Sequence, residues 1–485
     1  MSISTPEWVH HATFYQIFPD RFAQSASVAK PSKLEAWDHK PTTRGFKGGD
    51  LMGVLEKLDY LQELGITAVY FTPIFQSTAN HRYHTHDYYR VDPILGGNAA
   101  FEALLEGAHA RGMKVVIDGV FNHASRGFYY FNHALENGRE SPYLDWFNFK
   151  SFPLHAYEEK KPLGYEAWWD IPDLPKFNTN TPAVRDYIFA VAEHWIRMGA
   201  DGWRLDVPAE INDDSFWQEF RTRVKAINPE AYIVGEIWHE AQRWLRGDQF
   251  DGVMNYQFTK ACLGFFAGSK IDHALASDVG YAPVHAVDAA GFAEMILRNL
   301  RLYDWGINLA QLNVLDSHDT ARFLSIARGD IDALKLATLF QMTYPGAPSI
   351  YYGNEIGMHG AKDPDNRRAF PWDQAHWNLD LRDYFKRAVA LRARFRVLRD
   401  GEFAFVHAHG HIVATLRKSG EEKIITVFNA GATPANITLT FLPAHQIRDG
   451  AMLIGEFGTN AAHPVTGNQT SLRIGKHEGL VFRVD

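Results

Sequence analysis

The sequence predicts an α/β fold, a (β/α)8 TIM barrel with an inserted subdomain after its third strand and an antiparallel β domain at its C-terminal end. Three observations carry the prediction. Short β-branched and aliphatic runs alternate with amphipathic stretches, which is the pattern of βα units. The runs number eight, which favours a closed barrel over an open sheet. Three of them end in, or lead into, a carboxylate, as buried parallel strands do when they deliver a reacting group to a common rim.

The candidate strands are 14–18, 68–71, 114–118, 202–206, 232–236, 252–256, 309–315 and 349–352, with helical patterns such as 51–64 and 181–198 between them. The connection 124–180 is too long for a barrel loop and is rich in aromatic residues, Asn, Pro and Gly. An excursion of that kind reads as a small functional subdomain leaning over the strand tips. From about residue 396 the texture changes to short β-prone runs, Ile424-Ile425-Thr426-Val427-Phe428 and Ile437-Thr438-Leu439-Thr440-Phe441, separated by turn residues. The expected division is a barrel over 1–123 and 181–395, the insert over 124–180 and a β-sandwich over 396–485.

Composition narrows the function classes. Of 485 residues, 46% are hydrophobic and 22% charged, as in an ordinary globular protein with ample core. The net charge of −8 and the absence of a Lys/Arg cluster argue against a nucleic-acid partner and permit a neutral substrate. Aromatic content is 14%, and most of these rings are expected in the core. Cys262 is the only cysteine, which excludes an intrachain disulfide and a Cys-based metal site. The N-terminal residues carry neither a basic nor an apolar signal region, and no apolar run reaches the ~18 residues of a membrane span. A cytoplasmic protein with no membrane partner is expected.

Asp206 closes Gly202-Trp203-Arg204-Leu205-Asp206, Glu236 closes Tyr232-Ile233-Val234-Gly235-Glu236, and Asp319 follows Leu312-Asn313-Val314-Leu315-Asp316-Ser317-His318. On a barrel such tips converge on one face. Two cooperating carboxylates with a third charged neighbour suit cleavage of a glycosidic bond. Any one of these acids alone reads better as a helix N-cap or a surface acid after a strand; three in this order do not.

Four segments carry a resemblance. Asp118-Gly119-Val120-Phe121-Asn122-His123, Gly202-Trp203-Arg204-Leu205-Asp206, Gly235-Glu236-Ile237-Trp238-His239 and Leu315-Asp316-Ser317-His318-Asp319 resemble, in family order, the signatures of the α-amylase superfamily (glycoside hydrolase family 13). Within it, Glu166-Ala167-Trp168-Trp169, Leu174-Pro175-Lys176-Phe177-Asn178 and the run from Gly247 to Tyr256 are similar to the neopullulanase, cyclomaltodextrinase and maltogenic amylase group.

The resemblance implies a catalytic set of Asp206, Glu236 and Asp319. Asp206 would be the nucleophile, held ionised by Arg204 two residues earlier on the same strand face. Glu236, shielded by Trp238, would be the acid/base, and Asp319 would bind sugar hydroxyls and favour an oxocarbenium-like transition state. A covalent intermediate and retention of configuration follow from such a pair. His318 and His123 would hydrogen-bond the reacting sugar, Tyr83 would stack on it, and Asp118 would orient Arg204. Asp363 and Arg367 match the element that grips the next sugar on the non-reducing side, with a solvated ion pair as the competing reading. Glu210 would lie near the leaving-group side, in Val207-Pro208-Ala209-Glu210, where the group usually has Val-Ala-Asn-Glu; Pro208 stiffens this loop. Trp168 and Trp169 read first as core of the insert and second as a sugar platform.

No cofactor is expected. His81, His84 and His86 invite a metal reading, but nothing supplies a persuasive further ligand. Many α-amylases hold calcium beside the Asn matching Asn122, using acids in a stretch that here reads Leu174-Pro175-Lys176-Phe177-Asn178. An ammonium and an amide replace two carboxylates, so no metal is expected there; calcium elsewhere stays open. Members of the group also begin with a β domain that shapes their dimer. Here the first barrel strand begins close to Met1, so a monomer, or a dimer unlike theirs, is expected. The implied function is hydrolysis of α-1,4-glucosidic bonds in α-glucan oligosaccharides such as maltodextrins and cyclodextrins. Transglycosylation by the same residues is the alternative. A non-catalytic sugar-binding subunit is disfavoured by the presence of all three acids.

Overall fold

The structure is a computed structural model that describes residues 3–158 and 160–485. Eight parallel strands form its centre: β1 (Phe14–Ile17), β2 (Ala68–Phe71), β3 (Lys114–Gly119), β4 (Gly202–Leu205), β5 (Tyr232–Gly235), β6 (Gly252–Val253), β7 (Leu312–Val314) and β8 (Ala347–Tyr351). Their order is β6-β5-β4-β3-β2-β1-β8-β7. The remaining gap closes through a parallel bridge between Met254 and Leu312 and a 2.8 Å bond from the Asn255 N–H to the Leu312 carbonyl. Every residue of β1, β2, β4 and β5 is buried, as strands enclosed by helices outside and packed side chains inside must be.

Two strands are shorter than their apolar runs suggested. β6 stops at Val253 because the Asn255 side chain accepts from the Phe258 N–H and caps the helix Tyr256–Cys262. β7 begins only at Leu312 because 309 and 310 finish the helix Trp305–Ala310. The helical pattern over 51–64 is split into Leu51–Leu55 and Leu58–Leu64. The pattern over 181–198 is one helix, Pro182–Met198, started by proline in its first turn and ended by Gly199 at φ 119°.

After β3 the chain leaves the barrel. It forms the helix Tyr129–Asn137 and a set of isolated antiparallel bridges, Phe147 to Phe177, Phe149 to Tyr165 and Ala167 to Pro175. Its interior is aromatic: Phe131, Trp146, Phe147, Tyr165 and Phe177 are buried. The segment is anchored at the strand tips by the bridge between His123 and Lys176 and by the Ala124 N–H on the Pro175 carbonyl at 3.0 Å.

Beyond the last barrel helix (Leu379–Arg394) come β9 (Glu402–His409), β10 (Ile412–Ser419), β11 (Glu422–Asn429), β12 (Ala435–Thr440), β13 (Met452–Phe457), β14 (Ala462–Pro464), β15 (Gln469–Ile474) and β16 (Glu478–Val484). Six of them make an antiparallel sheet, β9-β10-β11-β16-β13-β14, and β12 pairs with β15. Alternation sorts the larger sheet's residues between two cores. Val413, Ile424, Phe428 and Val481 join the barrel's core, with Phe428 against Phe266 and Phe340. Ala414, Leu416, Ile425 and Val427 face Ile437, Leu439, Leu472 and Ile474 of the smaller sheet. Among the described residues no helix is long and apolar enough to cross a membrane.

Candidate active site

Strand register sets the centre of the site. Asp118 on β3 and Arg204 on β4 are ladder partners, so both side chains enter the barrel mouth at one level. Asp206 and Glu236 lie one residue beyond their strands and continue the ladder, the Asp206 N–H on the Gly119 carbonyl and the Glu236 N–H on the Leu205 carbonyl, each at 3.0 Å. Asp319 comes from the loop after β7, its N–H held by Ser317 Oγ at 3.2 Å.

Arg204 is fully buried and serves four carboxylates. Its Nη1 lies 3.0 Å from Asp118 and from Asp206 Oδ1; its Nη2 lies 3.0 Å from Glu236 Oε2 and 3.8 Å from Asp319 Oδ2. One guanidinium divided four ways does not hold Asp206 in the usual carboxylate range, contrary to the expectation from sequence. Burial first, and Glu236 second, push Asp206 well above it, against the pull of Arg204. Burial and Glu236 likewise raise Asp319 to about 7, and burial raises Asp118 to about 6. Asp118, Asp206 and Asp319 thus all hold a proton more tightly than free carboxyls do.

Around this cluster the other groups are wired in. Gln16 Nε2 donates to His318 Nδ1 at 2.7 Å, which places the ring proton on Nε2, facing the Tyr83 hydroxyl and, at 3.2 Å, Asp319 Oδ2. Burial, with Arg367 and Arg204 adding, drives His318 far below its ordinary range, so the ring is neutral. Tyr83 lies parallel to the His318 ring at 5.5 Å and donates to Asp118 Oδ2 at 3.0 Å. Glu236 accepts from Trp238 Nε1 on Oε1 at 2.9 Å and from the Val207 N–H on Oε2 at 3.0 Å. Trp238 is itself fixed flat on Tyr256, at 3.7 Å and 3°.

Arg367 lies 3.6 Å from Asp319 and 3.2 Å from Asp363, and its Nε donates to the His318 carbonyl at 2.9 Å. It is buried and continuous with the cluster, whereas the Asp363 side chain is 46% exposed. His123 is buried, bonded to Asn122 at 3.1 Å, and kept neutral by burial, which lowers it to about 3; its Nε2 has no protein partner. Its ring stacks under Trp168 at 5.5 Å, and Trp168 under Trp169 at 4.8 Å. Trp169 is 77% exposed, so the reading of this pair as core of the insert fails. The rings form a ladder from the strand tips to solvent. Glu210, in the short helix Pro208–Glu210, is tied to Lys176 of the insert at 3.0 Å.

The donor set beside Asn122 does not suit calcium. Asn122 Oδ1 is buried without a partner, but the Lys176 ammonium is paired to Glu210 and Asn178 presents its amide nitrogen to the Asp145 carbonyl. His81 and His84 meet edge-on at 4.9 Å, with His81 Nδ1 taking the Tyr83 N–H. Among the described residues no three His, Cys, Asp or Glu groups converge as a metal site.

Sequence reasoning missed Gln16, Tyr70 and Val207. Gln16 is the single strongly polar residue of the first strand and Tyr70 interrupts the second, donating to Asp118 at 3.0 Å. A polar side chain in a buried strand was the available signal. Nothing in the sequence marks Val207.

A barrel rim that gathers four acids around one buried arginine, with the neutral His318 beside Asp319, suits chemistry on sugar acetals, the work of a glycoside hydrolase. The chain belongs to the α-amylase family: residues 16–394 match its catalytic domain. It is 42% identical over 438 residues to a cyclomaltodextrinase of Geobacillus thermopakistaniensis, covering 90% of this chain and 71% of that protein. It is 43% identical over 431 residues to neopullulanase 2 of Thermoactinomyces vulgaris, covering 88% and 70% respectively. Among solved structures, the debranching enzyme of Nostoc punctiforme superposes with a TM-score of 0.91 at 48% identity, over 99% of this chain and 100% of that one.

Proposed function

We propose that the protein is a retaining α-glucan hydrolase that cleaves α-1,4-glucosidic bonds of maltodextrins and cyclodextrins through a glycosyl ester on Asp206. The observation that carries this reading is the attachment of Asp206 and Glu236, on adjacent strand tips, to the two terminal nitrogens of one guanidinium. Such anchoring favours the short separation, about 5–5.5 Å, that direct attack requires. Glu236 gives a proton to the bridging oxygen as the C1–O bond breaks, and Asp206 bonds to C1 from the opposite face. Glu236, now ionised, takes a proton from water; the resulting hydroxide attacks C1, releases Asp206 and restores the α configuration. The Asp319 side chain, 26% exposed, is within reach of sugar hydroxyls and lends negative charge to the oxocarbenium-like transition state.

The cyclomaltodextrinase and neopullulanase relatives support α-1,4 bonds as substrate. The end-to-end likeness to a debranching enzyme supports a second reading, in which α-1,6 branch points are also cut. Proton NMR of fresh products from maltodextrin, β-cyclodextrin and pullulan tests both. Initial α anomers from the first two are expected, and initial β anomers would overturn the mechanism. Maltotriose from pullulan would add the α-1,6 activity. Products longer than the substrate at high concentration would show a sugar hydroxyl, rather than water, resolving the ester.

We further propose that the cleft is complete within one chain, because the Trp168–His123 stack and the Lys176–Glu210 bridge close it with the chain's own insert. Constant specific activity on dilution is the measurement. No cofactor and no calcium at Asn122 are proposed. A cytoplasmic location is compatible with the single, buried Cys262, and fractionation of the producing cells would check it.

A further inference from the structure

The backbone is strained one residue past Asp206. Val207 has φ 36° and ψ 49°, in the left-handed region. A β-branched side chain there is an outlier, and the following Pro208 favours extended backbone for the residue before it. Something must hold it there, and the contacts are on the page. The Val207 carbonyl accepts the Glu210 N–H at 3.0 Å, the Pro208 carbonyl accepts Trp217 Nε1 at 3.2 Å, and the Val207 N–H points at Glu236 Oε2 at 3.0 Å. Strain of this kind at a reacting centre asks what the unusual geometry achieves.

Its effect falls unequally on the two oxygens of Glu236. Oε2 receives the Val207 N–H and, at 3.0 Å, lies against Arg204 Nη2, an ion contact without hydrogen-bond alignment. Among the described residues Oε1 receives only Trp238 Nε1. An indole N–H and a backbone N–H can only donate, so each occupies an acceptor position that a carboxyl hydrogen would need. A hydrogen on Oε2 would face both a backbone donor and a guanidinium charge. A hydrogen on Oε1 meets one donor at one edge and leaves the other edge for the cleft.

We infer that the Val207 N–H, aimed by its left-handed backbone, fixes Oε1 as the oxygen of Glu236 that carries and delivers the transferable proton. This rests on the acid/base reading of Glu236, and it makes Val207 a positioning residue that acts through Glu236. The competing account is that the N–H is merely a buried donor finding an acceptor. The two differ in which substrates notice its removal.

The experiment replaces the Asp206–Val207 peptide bond by an ester, by introducing the α-hydroxy analogue of valine at 207 in the full chain. Side chain and backbone path are kept and only the donor is lost. kcat/KM is compared on maltodextrin, whose leaving group needs a proton, and on α-maltosyl fluoride, whose leaving group does not. Glu236→Gln supplies the reference split between the two substrates, and its absence would refute the acid/base reading itself. With that split in place, the ester should lose about tenfold or more on maltodextrin and less than about threefold on the fluoride, at a melting temperature within a few degrees of the parent. Val207→Gly keeps the donor in a residue suited to positive φ, and should show no split whatever its total activity. Equal losses of the ester variant on both substrates, no loss on either, or a split in Val207→Gly as wide as that of the ester would overturn the inference.

Discussion

Replacing Asp319 by Asn should stabilise the fold at alkaline pH and progressively less as the solution is acidified, while removing most activity. In the folded chain the Asp319 carboxyl is raised from 3.8 to about 7, first by burial and then by Glu236, with Arg204 and Arg367 pulling the other way. A carboxyl that binds its proton more tightly folded than unfolded contributes stability in full below the unfolded value. That contribution is lost as pH rises through the folded one. A rise of roughly three units at about 1.4 kcal/mol per unit sets a ceiling of about 4 kcal/mol for the cost of ionising it in place. The side chain is 26% exposed, so water reaches it, and about 2 kcal/mol is the working figure. Asparagine removes that cost. For a chain of this size the gain corresponds to roughly 2–4 °C in melting temperature at pH 8, shrinking toward pH 5. Calorimetric melts of both proteins at pH 5, 6.5 and 8 measure it, alongside kcat/KM on maltodextrin, expected to fall about 10²- to 10³-fold or more. A difference in melting temperature that stays flat across this range, or an Asn variant less stable at pH 8, would refute the electrostatic account. A stable variant with near-parental activity would refute the role at the transition state.

Other substitutions probe the rest of the site. Asp206→Ala should lose several orders of magnitude in turnover while melting within a few degrees of the parent, since the group is wanted for chemistry and not for packing; activity of a pure sample near the parental level would sink the nucleophile assignment. Trp169→Ala should raise KM for long maltodextrins about two- to tenfold, and more than it raises KM for maltotriose, because an exposed indole continuous with the cleft can carry only outer sugar units. An equal effect on both chain lengths would count against the platform. Dialysis against a chelator should leave rate and melting temperature where they were, given the Lys176–Glu210 pair beside Asn122; a loss reversed specifically by Ca²⁺ is the contrary result.

The barrel and its acids were legible because strands and catalytic position are coupled by topology. An apolar run that ends in Asp206 or Glu236 states its secondary structure and its place on the rim at once. The aromatic 124–180 excursion was legible as an insert by length alone, but the exposure of Trp169 was not, since an aromatic pair in a small subdomain is more often its core. Strand ends were misplaced where a side chain decided them: Asn255 caps a helix that the apolar run would have continued as strand. The direction in which its surroundings push the Asp206 carboxyl was misjudged for a different reason. Arg204 two residues away is a local fact, but the number of carboxylates sharing it is a tertiary one, set by β3, β4, β5 and the loop after β7 together. Val207 was illegible because a backbone angle leaves no mark on residue identity, and valine is among the last residues expected at positive φ.

That sharing also explains why a site for positive-charge chemistry is built with too little positive charge. Asp118, Asp206, Glu236 and Asp319 surround Arg204, which is buried, while His318 is held neutral beside Asp319. The cluster sets four carboxyls against one guanidinium, and the raised carboxyls register first their burial and then their mutual repulsion. A neutral sugar brings no relief on binding. Relief comes only as the C1–O bond stretches and the ring takes on oxocarbenium character, so the cluster attracts the transition state more than the ground state. A second arginine in place of a neutral histidine would satisfy the resting carboxylates and forfeit that difference. Asp319→Asn should therefore gain stability and lose activity through the same carboxylate.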